Sequence, residues 1–330
     1  MLLAAKHARP FLSSRVRPAR ERVRTMATGD DAPSRQFTAG GRLYLGMAAT
    51  GDAFHMQVPQ VIHLVRHGQG FHNLAAERAD TPEAKEAAYC MDAYFDAHLT
   101  ELGWRQALGL RKHLEEQHVR KGVELVVASP LTRALETATG AFGGAPLTDV
   151  APEQGEVLMR GYAAEPDKTA DCPGYSAAGA PEFVVHEWVR EETGLHPCDG
   201  RRPIRVQKER WPGVREWIVA SDEDTWYKEH ERETREQCMA RMQTFCEWLA
   251  SRPERRIAVV AHAGALAGLM SHLVLRGVNG VQAHAEHAED MTAPWANCEM
   301  RTIVLPQVGG HGSDKDRWHY RPKDLTGLGF

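Results

Sequence analysis

Val61-Ile62-His63-Leu64-Val65-Arg66-His67-Gly68-Gln69-Gly70-Phe71-His72-Asn73 begins as a short apolar run and breaks at a glycine. An apolar run of this length reads as a strand buried on both faces, the kind found in parallel sheets. The C-terminal ends of such strands are where open α/β sheets place their ligands. Arg66 and His67 stand at that end, with His72 and Asn73 just beyond. An arginine there suggests an anion to bind, and the adjacent histidine a nucleophile or base. The bland alternative is a surface turn with ordinary polar residues, and this stretch alone does not separate the two.

Two further strand ends repeat the pattern. Leu125-Val126-Val127-Ala128 is followed by Ser129-Pro130-Leu131-Thr132-Arg133-Ala134-Leu135-Glu136-Thr137. Ser129 as cap and Pro130 as first helical residue predict a helix opening at the strand end, with Arg133 in its first turn. Amides at a helix start attract anions, and a guanidinium can fork onto phosphate oxygens. Val259-Val260-Ala261 is followed by His262. If these strands are adjacent and parallel, Arg66, His67, Arg133 and His262 converge into one small cationic pocket.

The intervening chain supports a parallel sheet covered on both faces. Thr81-Pro82-Glu83 predicts a helix running to about Ala97, Thr100 caps another, and Glu229–Ala250 is a third with strong helical patterning. Thr302–Leu305 reads as a last strand. From Gly140 to about Pro203 the chain is rich in Gly, Pro and Ala, with one short helix expected near Glu182–Thr193. An insertion of this length, about 140–230, is expected to form a wall or cap over a site. Trp211, Trp217 and Trp226 read as packing anchors.

The 330 residues are 42% hydrophobic and 25% charged, which fits a globular protein of one large α/β domain or two smaller ones. The net charge of −4 is unevenly spread: residues 1–25 carry Lys6, Arg9, Arg15, Arg17, Arg20, Arg22 and Arg24 against Glu21 alone. That composition suits a chloroplast or mitochondrial transit peptide, or else a disordered basic tail, with Met26 as an alternative start. The rest of the chain is acidic, so nucleic acid is a poor partner and an anion site must be a local basic pocket. Residues 26–57 read as a linker with at most a short strand near Leu43-Tyr44-Leu45, and residues 307–330 as a tail. Six scattered cysteines without a CxxC pair give no zinc signature and suggest reduced thiols in an intracellular compartment. His113, His118, His284 and His287 have no partners at metal-ligand spacing. Ile257–Leu275 approaches the length of a membrane span, but His262 and His272 interrupt it, so strand, turn and helix is the better reading.

Arg66-His67-Gly68 with Asn73, Ser129-Pro130-x-x-Arg133-Ala134-x-x-Thr137 and Ala261-His262-Ala263-Gly264 together resemble the histidine phosphatase superfamily, also called phosphoglycerate mutase-like. The resemblance covers about residues 58–306. His186-Glu187-Trp188-Val189-Arg190-Glu191, His196-Pro197-Cys198-Asp199 and Asn297-Cys298-Glu299-Met300-Arg301 are similar to its eukaryotic phosphoglycerate mutase-like branch. The resemblance implies an α/β three-layer sandwich with a mostly parallel sheet and the insertion over the C-terminal strand ends. It implies that His67 is the nucleophile, forming a phosphohistidine, and that Arg66, Arg133, Asn73 and His262 hold the phosphate. His262 also counts among the catalytic residues.

A leaving oxygen must be protonated, so one carboxylic acid is needed nearby. Glu187 is the first choice, with Glu182, Glu191 and Glu192 as rivals, while His72 reads as a packing residue. The implied function is phosphomonoester hydrolysis on a phosphorylated small molecule or phosphopeptide, needing no metal or cofactor. Neither nucleic acid nor a membrane is expected as partner, and a homodimer is allowed. The alternatives are mutase-type phosphoryl transfer between phosphoglycerates and a non-catalytic phospho-ligand binder. Against the mutase, the stretch after Asn73 lacks a Gly-Trp-rich segment.

Overall fold

The computed structural model describes residues 60–147, 156–271 and 292–305, together with the backbone of 37–38, 42–43 and 319–320. The basic segment 1–25, most of the 26–57 linker, His272, His284, His287 and most of the 307–330 tail lie outside the described residues. Near the expected Leu43 strand, β1 (Phe37–Thr38) and β2 (Arg42–Leu43) pair as a short antiparallel ribbon.

The central sheet contains β3 (Gln60–Arg66), β4 (Leu125–Ala128), β7 (Glu182–His186), β8 (Glu216–Ile218), β9 (Arg256–Ala261), β10 (Met300–Leu305) and β11 (His319–Tyr320). Its order is β11-β10-β3-β9-β4-β7-β8. β3, β9, β4, β7 and β8 run parallel, and β10 pairs antiparallel with β3 and β11. A separate ribbon joins β5 (Val157–Met159) to β6 (Tyr175–Ser176). The helices are α1 (Phe71–Glu77), α2 (Pro82–Tyr89), α3 (Glu101–Glu116), α4 (Thr132–Phe142), α5 (Ile204–Arg210), α6 (Arg235–Ala250) and α7 (Ala263–Met270).

The strands are near-continuous apolar runs because both faces are covered. Val126, Ala128, Val185, Ala258 and Val260 face a core built with Trp104, Leu110 and Leu114 of α3 and Leu135, Ala138 and Phe142 of α4. Leu125, Val127, Val184, Ile257 and Val259 face a second core with Met242, Phe245 and Leu249 of α6 and Leu266 and Leu269 of α7. The architecture is the expected three-layer α/β sandwich. The helix after β4 therefore covers one face and the helix after β9 the other, although these strands are neighbours. Such a reversal opens a crevice at the C-terminal strand ends.

Several local expectations are corrected. Glu182–His186 is a strand, not the start of a helix: Phe183 and Val185 fill one core and Val184 the other, an alternation only a strand provides. The 140–230 insertion thus supplies β7 and β8 to the sheet and is not merely a cap. The helix from Pro82 stops at Tyr89, well before Ala97, and a 3-10 turn at Asp92–Tyr94 follows. Helix α6 starts at Arg235, capped by a reciprocal Thr234–Gln237 pair.

Helix α4 begins at Thr132, not Pro130, with Leu131 at the cap position and no capping side chain of its own. Asp96 substitutes for it across space. Its carboxylate accepts from the Thr132 amide at 2.7 Å and the Thr132 hydroxyl at 2.9 Å. Trp211 is buried as an anchor, donating from its indole to Thr139 Oγ1 at 3.1 Å. Among the described residues no helix is long and apolar enough to cross a membrane.

Candidate active site

His67 follows β3 directly, and its main chain is fixed from both sides. Its amide donates to Ala261 O of β9 at 2.9 Å, and its carbonyl accepts from Cys298 N at 3.0 Å. The turn beyond it rests backbone to backbone on α3. A Cβ on Gly103 would lie 2.2 Å from Gln69 O, and one on Gly68 2.7 Å from Gly103 O. Only glycine permits this approach.

The His67 ring is oriented by its own loop. Nδ1 lies 2.6 Å from the Gly68 carbonyl, which only accepts, so the proton resides on Nδ1. Nε2 then carries the free lone pair, and Arg133 Nε donates to it at 3.2 Å. The centroid of the His262 ring is 5.0 Å away and that of His72 5.8 Å. His262 is set by Ser129 Oγ, 2.8 Å from its Nε2, so the serine expected as a helix cap instead orients a histidine across the β4–β9 crevice.

Arg133 is fully buried and spans three groups: His67 Nε2, the Cys198 carbonyl, and Asp199 Oδ1 at 2.9 Å. The other oxygen of Asp199 accepts from Arg232 at 3.0 Å. Arg66 donates from Nη1 to Trp295 O at 2.6 Å. Asn73 Oδ1 accepts from Gly70 N at 3.0 Å and Asn297 Nδ2 at 3.4 Å, and its side chain also hydrogen-bonds Tyr89. Arg66 Nε, His72 Nδ1 and His262 Nδ1 are buried without a hydrogen-bond partner among the described residues. Buried polar atoms normally have partners, and unpaired ones collected around one imidazole fit a site shaped for a polar ligand.

Of the expected site residues, the structure brings together Arg66, His67, Asn73, Arg133 and His262. Glu187 is revised. Its carboxylate accepts from Arg190 Nη1 at 2.9 Å, from Arg201 at 2.7 and 3.3 Å, and from Ala220 N at 3.3 Å. Both of its oxygens accept from this buried cluster at the end of β7, where two arginines enclose the carboxylate. Glu191 lies instead against the start of α7, accepting from Gly264 N and Ala265 N at 3.1 Å each. Its charge also acts on Arg66. A Cβ on Gly264 would meet Glu191 Oε1 at 2.3 Å, so the glycine after His262 makes room for this carboxylate. Ser129, Asp199 and Glu191 therefore join the site.

The pocket keeps its histidines neutral. Burial, then the charges of Arg133, His262 and Arg66, hold His67 well below its ordinary 6.5. Burial and Arg133 do the same to His72 and His262. Burial lowers His63 and His186 to about 4. For Asp199, burial opposes ionisation, but His196, Arg133 and Arg232 overcome it and hold the carboxyl far below its usual range.

Unfolded histidines take up a proton near pH 6.5 and these buried ones do not, so below pH 6.5 unfolding binds protons. Stability is then fully present above pH 6.5 and falls as pH falls, by up to about 1.4 kcal/mol per pH unit for each such histidine. His196 opposes this trend: Asp199 and Glu86 raise its pKa, against the effect of burial, so its contribution fades as pH rises. With five histidines against one, the urea midpoint at pH 5 is expected to lie clearly below that at pH 7. Equal midpoints would contradict the neutral cluster.

The family model for the histidine phosphatase superfamily (branch 1) matches residues 62–154 and 184–292. The chain belongs to that superfamily. Within it, the sequence is 37% identical over 270 residues to a phosphoglycerate mutase-like protein of Arabidopsis thaliana, covering 82% of this chain and 93% of the relative. A second Arabidopsis thaliana relative, phosphoglycerate mutase-like protein 1, is 36% identical over 271 residues, covering 82% and 89%. Among solved structures, a mycobacterial glucosyl-3-phosphoglycerate phosphatase bound to VO3 aligns at 22% identity and a TM-score of 0.40, covering 74% of this chain and 92% of that one. The two Arabidopsis thaliana relatives place this superfamily member in the phosphoglycerate mutase-like branch.

Proposed function

We propose that the protein hydrolyses a phosphomonoester through a phosphohistidine on His67. The carrying observation is the ring itself: Nδ1–H is tied to the Gly68 carbonyl, so the Nε2 lone pair faces Arg133 inside a buried cationic pocket. A neutral imidazole is nucleophilic, and arginines around it stabilise the charge that spreads over the equatorial oxygens during transfer. Arg66, Arg133, Asn73 and His262 hold the phosphoryl oxygens. In the first step Nε2 attacks phosphorus and the ester oxygen leaves with a proton. In the second, water loses a proton and attacks the phosphohistidine.

Glu191, rather than Glu187, is the proton carrier in this reading. It stands at the helix that His262 begins and acts on Arg66, whereas Glu187 is enclosed by Arg190 and Arg201. Glu192 beside it is pushed upward, first by burial and then by the charge of Glu191. Glu191→Gln is expected to slow hydrolysis of an alkyl phosphate about 100-fold. An aryl phosphate with a good leaving group would be slowed much less. Equal loss on both substrates would remove Glu191 from the acid role.

The substrate is a phosphorylated small molecule or phosphopeptide. Incubation with a radiolabelled phosphomonoester followed by quenching should leave acid-labile label on His67. Interconversion of 2- and 3-phosphoglycerate with a bisphosphate primer would mark a mutase, and no label with no turnover a binder.

A further inference from the structure

Glu86, Cys90 and His196 form a cluster beside the phosphate pocket that the mechanism does not use. Glu86 and Cys90 are four residues apart at the C-terminal end of α2, and so project from one side of it. One donor atom from each of the three residues lies within 4.8 Å of the other two. His196 comes from the loop that carries Asp199. Its Nε2 is 2.7 Å from a Glu86 oxygen, and its Nδ1 faces Asp199 Oδ2 at 3.7 Å. Tyr89 stacks on the ring at 5.5 Å between centroids. Cys90 is exposed, whereas Cys172, Cys198, Cys238, Cys246 and Cys298 are all buried.

We propose that Glu86, Cys90 and His196 bind a thiophilic divalent cation of the zinc type. One sulfur, one imidazole nitrogen and one carboxylate oxygen suit zinc, with water in the fourth position. Magnesium and calcium prefer all-oxygen sites and are excluded by the same set. Zinc holds its ligands roughly 3.2–3.8 Å apart, given metal–ligand bonds of about 2.0–2.3 Å. The cluster needs a contraction of only about 1 Å, which side-chain rotation at an exposed helix end supplies. Behind the ring, Asp199 stands where metal-binding histidines keep the carboxylate that fixes their tautomer. That same carboxylate holds Arg133, so the ion lies at the outer end of a chain running His196, Asp199, Arg133, His67. The spacing of cysteines and histidines along the sequence shows no metal signature because α2 and a distant loop each supply part of the set.

The test uses the full chain without affinity-tag histidines, titrated with cobalt(II) as a coloured stand-in for zinc. The expected result is one equivalent bound, with a thiolate-to-cobalt charge-transfer band that zinc(II) abolishes by displacement. Cys90→Ser should remove that band, and Glu86→Gln should weaken cobalt binding about tenfold or more. Both residues are exposed, so each variant should keep the parent's urea midpoint, which confirms that lost binding is not lost folding. Absence of the band in the parent chain, or its survival in Cys90→Ser, would overturn the site. Neither readout depends on hydrolysis, so the outcome stands apart from that of the phosphatase assignment.

Discussion

Replacing His67 by alanine is expected to lower phosphomonoester hydrolysis by about 10⁴-fold or more. The magnitude follows from what the variant keeps and what it loses. The arginines and the Glu191 carboxyl remain, so phosphate still binds and a directly attacking water still receives some electrostatic help. The covalent route disappears, because His67 Nε2 is the imidazole nitrogen that Arg133 Nε meets among the described residues. Substrate affinity should change far less than turnover. Acid-labile label should vanish altogether, since His262 and His72 present unpartnered nitrogens but have no backbone carbonyl fixing a free lone pair toward Arg133. The check is steady-state kinetics on p-nitrophenyl phosphate with the urea midpoint measured alongside. Activity within tenfold of the parent, in protein free of contaminating phosphatases, would end the proposal.

Arg133→Met carries the second large effect, and it is double. Turnover should fall about 10²- to 10³-fold, the usual loss when a preorganised donor to transition-state charge is removed. Stability should fall as well, by about 3 kcal/mol, because the buried Asp199 carboxylate loses one of its cationic partners. Arg232 and His196 still face Asp199, which keeps the loss near the lower end of that range. Pairing Arg133→Met with Asp199→Leu removes the stranded charge and should restore much of the stability while activity stays low. Arg133→Lys should recover charge but not the fork that spans His67, Cys198 and Asp199. Denaturant curves and kinetics on all three variants distinguish the two roles. If the double variant regained activity, Arg133 would be structural only.

The parts of the site that are contiguous in sequence were readable in it. Arg66, His67, Arg133 and His262 follow apolar runs, and a parallel sheet brings strand ends together. What escaped reading depends on distant segments. Asp96 caps α4 from another part of the chain, which freed Ser129 to bond His262 and shifted the helix start past Pro130. Phe183-Val184-Val185 looks helical beside its charged neighbours, and only burial between two helical layers selects a strand. Glu187 and Glu191 are one helical turn apart in sequence, so spacing could not tell which carboxylate Arg190 and Arg201 would capture. The three-dimensional ion pairing decided that.

The pairing of β3 has a consequence for how the molecule comes into being. Val61 pairs with Arg256 on one side and Val304 on the other, both far along the chain. As the polypeptide leaves the ribosome, the strand that leads into His67 emerges before its partners and waits with both edges bare. Neighbours made soon after it, such as α3 and β4, cannot close those edges. Distant strand pairing is slow to form, and unpaired apolar edges invite association between chains. Completion of the pocket therefore belongs to the last stage of folding, when Trp295, Cys298 and β10 arrive to fix Arg66 and His67. A chain halted before them would carry His67, Arg133 and His262 and still leave the β10 edge of β3 bare, making truncation a route to aggregation rather than to a weaker enzyme.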